Sequence, residues 1–140
     1  MALPSKQSEA RSYALQFLYQ CEIEKVYFFS DTKFKNFTNH LKVRKDVETF
    51  LKTLISGVLD HLDDLDKEIT DASKNWSIER IAIIDKIILR LAIFELQKTG
   101  TPSKVVLNEA IELAKNFSTE NSGKFINGLL DSLARKIREH

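Results

Sequence analysis

The sequence contains few of the residues that mark disulfide-rich, disordered or membrane-spanning proteins. Among 140 residues there is one cysteine, Cys21, so an intrachain disulfide is excluded. Only 4 glycines and 2 prolines occur, and 43% of the residues are hydrophobic. Charged residues interrupt every apolar run before it reaches about 18 residues, the length of a membrane span. Because the first residues, MALPSKQS, also lack the basic and apolar regions of a secretion signal, we expect a helix-rich, cytoplasmic protein.

The chain also lacks a charge excess. Its 21 lysines and arginines against 20 aspartates and glutamates leave a net charge of +1. A protein that binds a nucleic-acid backbone unaided usually carries a clear basic excess, because each phosphate contact needs a cation. A nucleic acid bound here would therefore be held by local geometry or with the help of a partner protein.

No pattern typical of catalysis or metal binding is present. The HExxH, CxxC, Walker and GxGxxG patterns are missing, and His40, His61 and His140 stand in unrelated sequence contexts. The acidic string within residues 60–66 lacks the glycine turn and the final glutamate of an EF-hand loop, and its helical spacing favours a solvated helix face. We expect no catalytic residue, no metal and no cofactor.

Hydrophobic periodicity predicts helices along most of the chain. We expect helices over residues 5–22 and 45–60, a loop with a short helix within 26–43, and an acidic helix ending near Trp76. After a short turn, residues 81–96 have twelve apolar positions of sixteen and belong at the centre of the molecule. The pattern predicts an all-α protein of about seven helices, one domain over residues 1–140, built as two small packed bundles over 1–75 and 76–140.

Residues 102–131 predict two helices joined by a polar elbow. Thr101 is the expected cap of the first helix, with Pro102 at its first position, and the second helix is expected to start around Asn121 or Ser122. The apolar stripes expected on the two helices are Val106, Ala110, Leu113 and Phe117, and Phe125, Leu129, Leu133 and Ile137. The start of the second helix is a place that attracts anions.

Polar residues at this elbow allow two interpretations. A cation, two amides that can read base edges and a ring on which a base can stack all occur together, at Lys124, Asn121, Asn127 and Phe125. The alternative is that Asn121 or Ser122 caps the helix and that Phe125 packs in the core. The residues by themselves favour this second interpretation.

Two charged residues of the central helix, Asp85 and Glu95, fall among apolar neighbours, while Arg90 shares one arc of the helix with Lys86. An unpaired buried charge costs several kcal/mol, so Arg90 and Glu95 are expected to be paired within the protein. Asp85 lies near the start of the helix, beside Glu79 and Arg80, which look exposed. These three residues are therefore candidates for a surface role.

The run VVLNEAIELAKNF followed by SGKFINGLLD resembles the C-terminal signature of the NusB family of bacterial transcription antitermination factors. The resemblance extends through IDKIILRLAIFEL (Ile84 to Leu96) and, more faintly, through RSYALQFLYQ (Arg11 to Gln20). A long helical signature in fixed order is more specific than any single short motif.

The resemblance implies a function without chemistry. Family members pair with NusE, a small-subunit ribosomal protein, recognise single-stranded boxA-like RNA in ribosomal RNA leaders, and support the antitermination complex of RNA polymerase. The RNA-binding residues that it implies in this chain are Lys6, Arg11, Gln16, Tyr19, Asn121, Lys124, Phe125 and Asn127. The residues that it implies for NusE binding are Glu79, Arg80 and Asp85.

The sequence departs from the family in the first helix, where an arginine-rich run is typical and this chain has only Lys6 and Arg11. We expect modest RNA affinity without a partner, because each lost phosphate contact weakens binding. One alternative is a protein-binding helical module with little RNA recognition. Another is the NusB-like module of a ribosomal RNA cytosine methyltransferase, which would require a truncated chain, since this one ends at His140 without a cofactor-binding domain. The resemblance also allows a homodimer, which would inhibit binding if it covered the RNA face.

Overall fold

The computed structural model describes residues 5–73 and 77–138. Within these ranges the chain forms seven α-helices and one 3-10 turn at Ile78–Arg80, and no strand. The helices are α1 (Lys6–Glu24), α2 (Asp31–His40), α3 (Lys45–Asp60), α4 (Leu62–Ala72), α5 (Ile83–Lys98), α6 (Ser103–Phe117) and α7 (Glu120–Arg138). The predicted all-α class is confirmed. The expected break near Trp76 and the residue His140 lie outside the described residues.

The chain divides into two compact units, Met1–Asp60 and His61–His140. This boundary differs from the one expected near residue 75, because α4 packs against α5 and α7 and so belongs to the second unit. Its apolar face, Leu65 and Ile69, is fully buried. Helical periodicity reveals which face of α4 is buried, but it does not reveal which neighbour covers that face.

In the first unit α1 packs on α3. The apolar residues on one arc of α1 are all buried, at Ala10, Ala14, Phe17, Leu18 and Cys21. The aromatic stretch that follows α1 contains α2, whose start is capped by the Ser30 hydroxyl accepting the Lys33 N–H at 3.3 Å. Edge-on and tilted contacts between aromatic rings join α2 to α1, such as Phe17 to Phe37 with centroids 5.2 Å apart.

In the second unit α5 is the central helix and contacts α4, α6 and α7. It is buried from Ile87 to Leu96, as its apolar composition predicts. The expected stripes are only partly correct. Phe117 is 37% exposed, and Ala114 is buried in its place on α6. On α7 the residues facing the core are Ile126, Leu130, Leu133 and Ala134, so the buried face is rotated away from Phe125.

The expected internal pairing of Arg90 is confirmed. Its guanidinium donates two hydrogen bonds to the carboxylate of Asp66 on α4, Nε to Oδ1 at 2.7 Å and Nη2 to Oδ2 at 2.9 Å. This fork geometry satisfies both oxygens of one carboxylate. Glu95, on the same helix, is also buried.

The start of α6 differs from the expected cap. Pro102, not Thr101, precedes the helix, with φ −58° and ψ 142°, and the helix begins at Ser103. Thr101 instead accepts a hydrogen bond from the Thr99 hydroxyl at 3.0 Å. Proline suits this position because its fixed φ leads into the helix.

Few side chains in the described ranges are placed for reactivity. Burial raises the pKa of the Cys21 thiol, which makes it a poor nucleophile. The same ranges contain no group of three histidine, cysteine or acidic side chains arranged around a metal position. They also contain no helix that is long and apolar enough to cross a membrane.

Lys25 ends α1 in the left-handed conformation, with φ 59° and ψ 39°. Its N–H donates to the carbonyl of Glu22, and the N–H of Val26 donates to that of Cys21, the two bonds of a Schellman motif. We expect Lys25→Gly to raise the free energy of unfolding by about 0.5 kcal/mol, because glycine adopts this conformation without steric cost. Urea denaturation measures the change.

Lys35 provides the matched control, because it is exposed and lies inside α2. Lys35→Gly is expected to lower stability by about 1 kcal/mol, since glycine is a poor residue for a helix interior. A loss of stability in both variants would contradict the left-handed conformation at Lys25.

Candidate functional site

The elbow between α6 and α7 consists of Ser118 and Thr119 alone. Ser118 closes α6 by donating its backbone N–H to the carbonyl of Ala114 at 2.8 Å. The hydroxyl of Thr119 accepts the backbone N–H of Ser122 at 3.2 Å, so Thr119 caps α7. The expectation that Asn121 or Ser122 is the cap was wrong, because both residues lie within the first turn of the helix.

Three of the expected RNA-binding residues lie close together around the first turns of α7. Asn121 and Phe125 are about 40° apart around the helix axis, and Lys124 is about 60° from Asn121 on the other side. Asn121 and Lys124 are exposed, and Phe125 is half-buried. Asn127 is exposed too, but it lies about 160° from Phe125, on another side of the helix. The helix therefore groups an amide, a cation and a ring, with the second amide about 60° beyond Lys124 on the side away from Phe125.

A cavity of about 300 Å³ opens beside this part of α7. It lies between α7, the start of α5 and the turn that precedes α5. Its lining residues are Arg80, Ile81, Ala82, Asp85, Asn121, Ser122 and Phe125. This volume is at the lower end of the range for small-molecule sites. It is sufficient for one planar group or one large side chain.

The cavity brings together two sets of residues that the sequence kept apart. Arg80 and Asp85 come from the set expected to bind NusE, and Asn121 and Phe125 come from the set expected to bind RNA. Glu79 is exposed in the 3-10 turn and does not line the cavity. The two candidate surfaces therefore meet along one edge of the second unit.

Asp85 is not presented to solvent in the way that Glu79 and Arg80 are. It is only 6% exposed. Its Oδ1 accepts a hydrogen bond from the Ser118 hydroxyl at 2.9 Å, and its Oδ2 accepts one from the Ser122 hydroxyl at 2.8 Å. The carboxylate thus ties the start of α5 to the elbow, a placement that differs from the surface role considered for it.

In the first unit, α1 carries the remaining candidate residues. Lys6 is exposed and forms an ion pair with Asp46 at 3.4 Å. An exposed pair of this kind is weak, so the Lys6 ammonium remains available to a phosphate. Tyr19 is 40% exposed, and half-buried Gln16, about 60° away around the helix, donates its side-chain amide to the Ser12 carbonyl at 3.2 Å.

Arg11 does not lie on an open surface. It is only 3% exposed, and its guanidinium stacks over the ring of Phe50 with 5.5 Å between the guanidinium carbon and the ring centroid. A cation held in this way against an aromatic face packs within the unit. Of the two basic residues at the start of the chain, Arg11 is therefore buried and Lys6 is exposed.

Sequence reasoning missed the part played by hydroxyl groups at the elbow. Ser118 and Thr119 stand between the two helices, and their hydroxyls bond to Asp85 and to the first turn of α7. The signal was present as a Ser-Thr pair immediately after the last apolar residue of α6, since these side chains favour helix ends. The bond to Asp85 had no such local signal.

Comparison with known proteins identifies relatives along almost the whole chain. The model of the NusB family matches residues 8–135. The transcription antitermination protein NusB of Thermodesulfovibrio yellowstonii is 41% identical over 140 residues, which cover 94% of this chain and 93% of that protein. The chain therefore matches its relative over nearly the full length of both.

Solved structures agree with this result. The NusB structure from T. maritima superposes with a TM-score of 0.81 and 31% identity, over 97% of this chain and 94% of that one. A crystal structure of the antitermination factors NusB and NusE in complex with double-stranded RNA includes a chain with a TM-score of 0.79 and 25% identity, covering 94% of this chain and 97% of that one. The chain belongs to the NusB family.

Proposed function

We propose that this chain is a transcription antitermination protein that binds RNA together with NusE and performs no catalysis. The observation that carries the proposal is the cavity beside α7. Two proposed RNA contacts, Asn121 and Phe125, line this cavity together with Arg80 from the turn before α5. The relatives named above are antitermination proteins, and one neighbour is a complex of NusB, NusE and RNA.

We propose RNA-contacting residues in each of the two units, taken separately. On α7, Asn121 can read a base edge, Phe125 can stack against a base, and Lys124 can contact a phosphate. On α1, Lys6 and Tyr19 offer the same two kinds of contact to phosphate and base. Gln16 on α1 and Asn127 on α7 are further proposed contacts, and Arg11 supports α1 by packing rather than by contact with phosphate.

The proposed NusE surface is the turn before α5. Glu79 and Arg80 are exposed there with opposite charges, so they can pair with complementary charges on a partner protein. Since the chain has a net charge of only +1, phosphate contacts contributed by the partner would compensate for the few cations on α1.

We propose that the RNA target is a single-stranded, boxA-like element. The protein is proposed to act in the cytoplasm, within the RNA polymerase antitermination complex. A homodimer of the protein is proposed to compete with RNA.

Titration of RNA with and without NusE tests this proposal. We expect NusE to raise the affinity for single-stranded boxA RNA by roughly tenfold, because the two proteins share one RNA surface. Fluorescence anisotropy with labelled RNA measures the affinity, with scrambled RNA and a duplex of the same sequence as controls. Equal affinities with and without NusE would contradict the shared surface.

A second candidate function is a protein-binding module with little RNA recognition of its own. The burial of Arg11 favours it, because this leaves Lys6 as the exposed basic residue in the first two turns of α1. The salt dependence of RNA binding separates the two functions. RNA recognition predicts a preference for boxA over scrambled RNA and a slope of log K against log salt between about −1 and −2. The protein-binding module predicts NusE binding without this preference, and the mass in solution shows whether a dimer forms instead.

A further inference from the structure

The buried carboxylate of Asp85 accepts one hydrogen bond from the elbow and one from the first turn of α7. Ser118 is the residue that follows α6, and Ser122 lies in the first turn of α7. Their hydroxyls reach the two different oxygens of Asp85, at 2.9 Å and 2.8 Å. One side chain near the start of α5 therefore holds the point at which the chain passes from one helix to the next.

The hydrogen-bond arrangement is internally consistent. A carboxylate only accepts, and each serine hydroxyl has one proton to give, so the two protons go to the two oxygens. The Ser122 oxygen still accepts from the hydroxyl of Thr119, 3.1 Å away. Thr119 in turn accepts the Ser122 N–H as the cap of α7. The cap of α7 and the bonds to Asp85 thus form one network.

We infer that Asp85 is a positioning residue, which orients the elbow so that Asn121 and Phe125 face the cavity opposite Arg80. This inference rests on the proposed function, because the residues it orients are the proposed RNA contacts. The contribution of Asp85 is to hold the first turn of α7 in place. Asp85 at the centre of the network is buried, and a polar network whose groups are hydrogen-bonded rigidifies its surroundings in this way.

Substitution by asparagine separates positioning from a direct ionic contact. In Asp85→Asn the side-chain NH₂ group can donate a hydrogen bond to the hydroxyl of Ser118. Ser118 can then donate to the hydroxyl of Ser122, 2.9 Å away, and Ser122 can donate to the carbonyl oxygen of the new asparagine side chain. The network therefore survives without the charge. In Asp85→Ala both acceptors are lost. Positioning predicts that alanine is damaging and asparagine is not, whereas an ionic contact with a partner predicts that both are.

The experiment compares the wild-type protein with Asp85→Asn, Asp85→Ala and Ser122→Ala. We expect Asp85→Ala to weaken boxA RNA binding about tenfold and Asp85→Asn to change it less than about twofold. Ser122→Ala removes one hydroxyl, keeps the charge of Asp85, and is expected to weaken binding about threefold. It also tests the inference if Asp85→Ala does not fold. Equal losses for the asparagine and alanine variants would overturn the inference, as would unchanged binding in Ser122→Ala.

Two further readouts distinguish positioning from a general loss of stability. Positioning predicts faster hydrogen exchange at the amides of Ser118, Ser122 and Gly123 in Asp85→Ala but not in Asp85→Asn. It also predicts that the RNA-binding loss of Asp85→Ala is not additive with that of Asn121→Ala. Unchanged exchange at the elbow would overturn the inference. Failure of the wild-type protein to bind RNA would instead overturn the proposed function, and the exchange data would still decide whether Asp85 positions the elbow.

Discussion

Replacing Arg90 by alanine is expected to lower the free energy of unfolding by about 3 kcal/mol. Arg90 is 7% exposed and is held by two hydrogen bonds to Asp66. Removing the guanidinium leaves the Asp66 carboxylate, which is 31% exposed, without these donors, and it also empties the space that the arginine stem fills. Because Asp66 is partly exposed, the expected loss of stability is at the lower end of the range for breaking a buried ion pair. Urea denaturation of the purified protein measures it.

Arg135 offers a matched control for Arg90. It forms an ion pair with Asp131 at 3.3 Å, but the two side chains are 70% and 54% exposed. Arg135→Ala is therefore expected to cost less than about 0.5 kcal/mol, since solvent and salt screen an exposed pair. Similar losses in the two variants would show that the bond between α4 and α5 contributes no more than a surface pair.

Replacing Phe125 by alanine is expected to weaken boxA RNA binding by roughly tenfold, because the stacking of a base on an aromatic ring contributes about 1–3 kcal/mol. Phe125 is half-buried at the cavity, so part of its ring is reachable. The same exposure limits the expected loss of folding stability to about 1–2 kcal/mol. Anisotropy titrations measure the first quantity, and thermal unfolding followed by circular dichroism measures the second.

Ile126, the next residue, provides the contrast. It is 0% exposed and belongs to the core of the second unit. Ile126→Ala is expected to lower stability by about 2–4 kcal/mol and, at a temperature where the variant is folded, to leave RNA affinity within about twofold. If Phe125→Ala lost more stability than Ile126→Ala and bound RNA normally, the ring would belong to the core and would not stack on RNA.

The experiments on Asp85 and Phe125 address different parts of one surface. Phe125 is proposed to touch RNA, whereas Asp85 is inferred to act through the elbow that leads into α7, the helix that carries Phe125 and Asn121. The effect of Asp85→Ala on RNA binding must therefore be compared with that of Asp85→Asn, which keeps the hydrogen bonds but removes the charge. The burial of Asp85 and its bonds to two hydroxyls make this comparison meaningful.

The positions of the helices could largely be predicted from the sequence. The expected helix over residues 45–60 coincides with α3, and the helix expected to start around Asn121 or Ser122 begins at Glu120. These features depend on amphipathic spacing and on residues that favour helix ends, which act within a few positions along the chain. The aromatic stretch that contains α2 was less predictable, because its periodicity is weak and it also makes ring contacts with α1.

The candidate site was predictable in part. The grouping of Asn121, Lys124 and Phe125 follows from helical spacing, which is a local property. The placements of Arg11 and Asp85 were not predictable, because each depends on a neighbour distant in sequence. Arg11 lies against Phe50, and Asp85 is 33 and 37 residues away from the serines that bond to it.

The sequence by itself determined the all-α class, the approximate helix ends, the absence of an intrachain disulfide and, through an ordered helical signature, the family. Only the tertiary structure decided that α4 belongs with the later helices, that Arg90 pairs with Asp66, and that Asp85 faces the elbow rather than solvent. The physical reason is the range of the interactions. Periodicity and capping act over one or two turns and can be read along the chain, whereas the partner of a buried charge is set by which helices pack together.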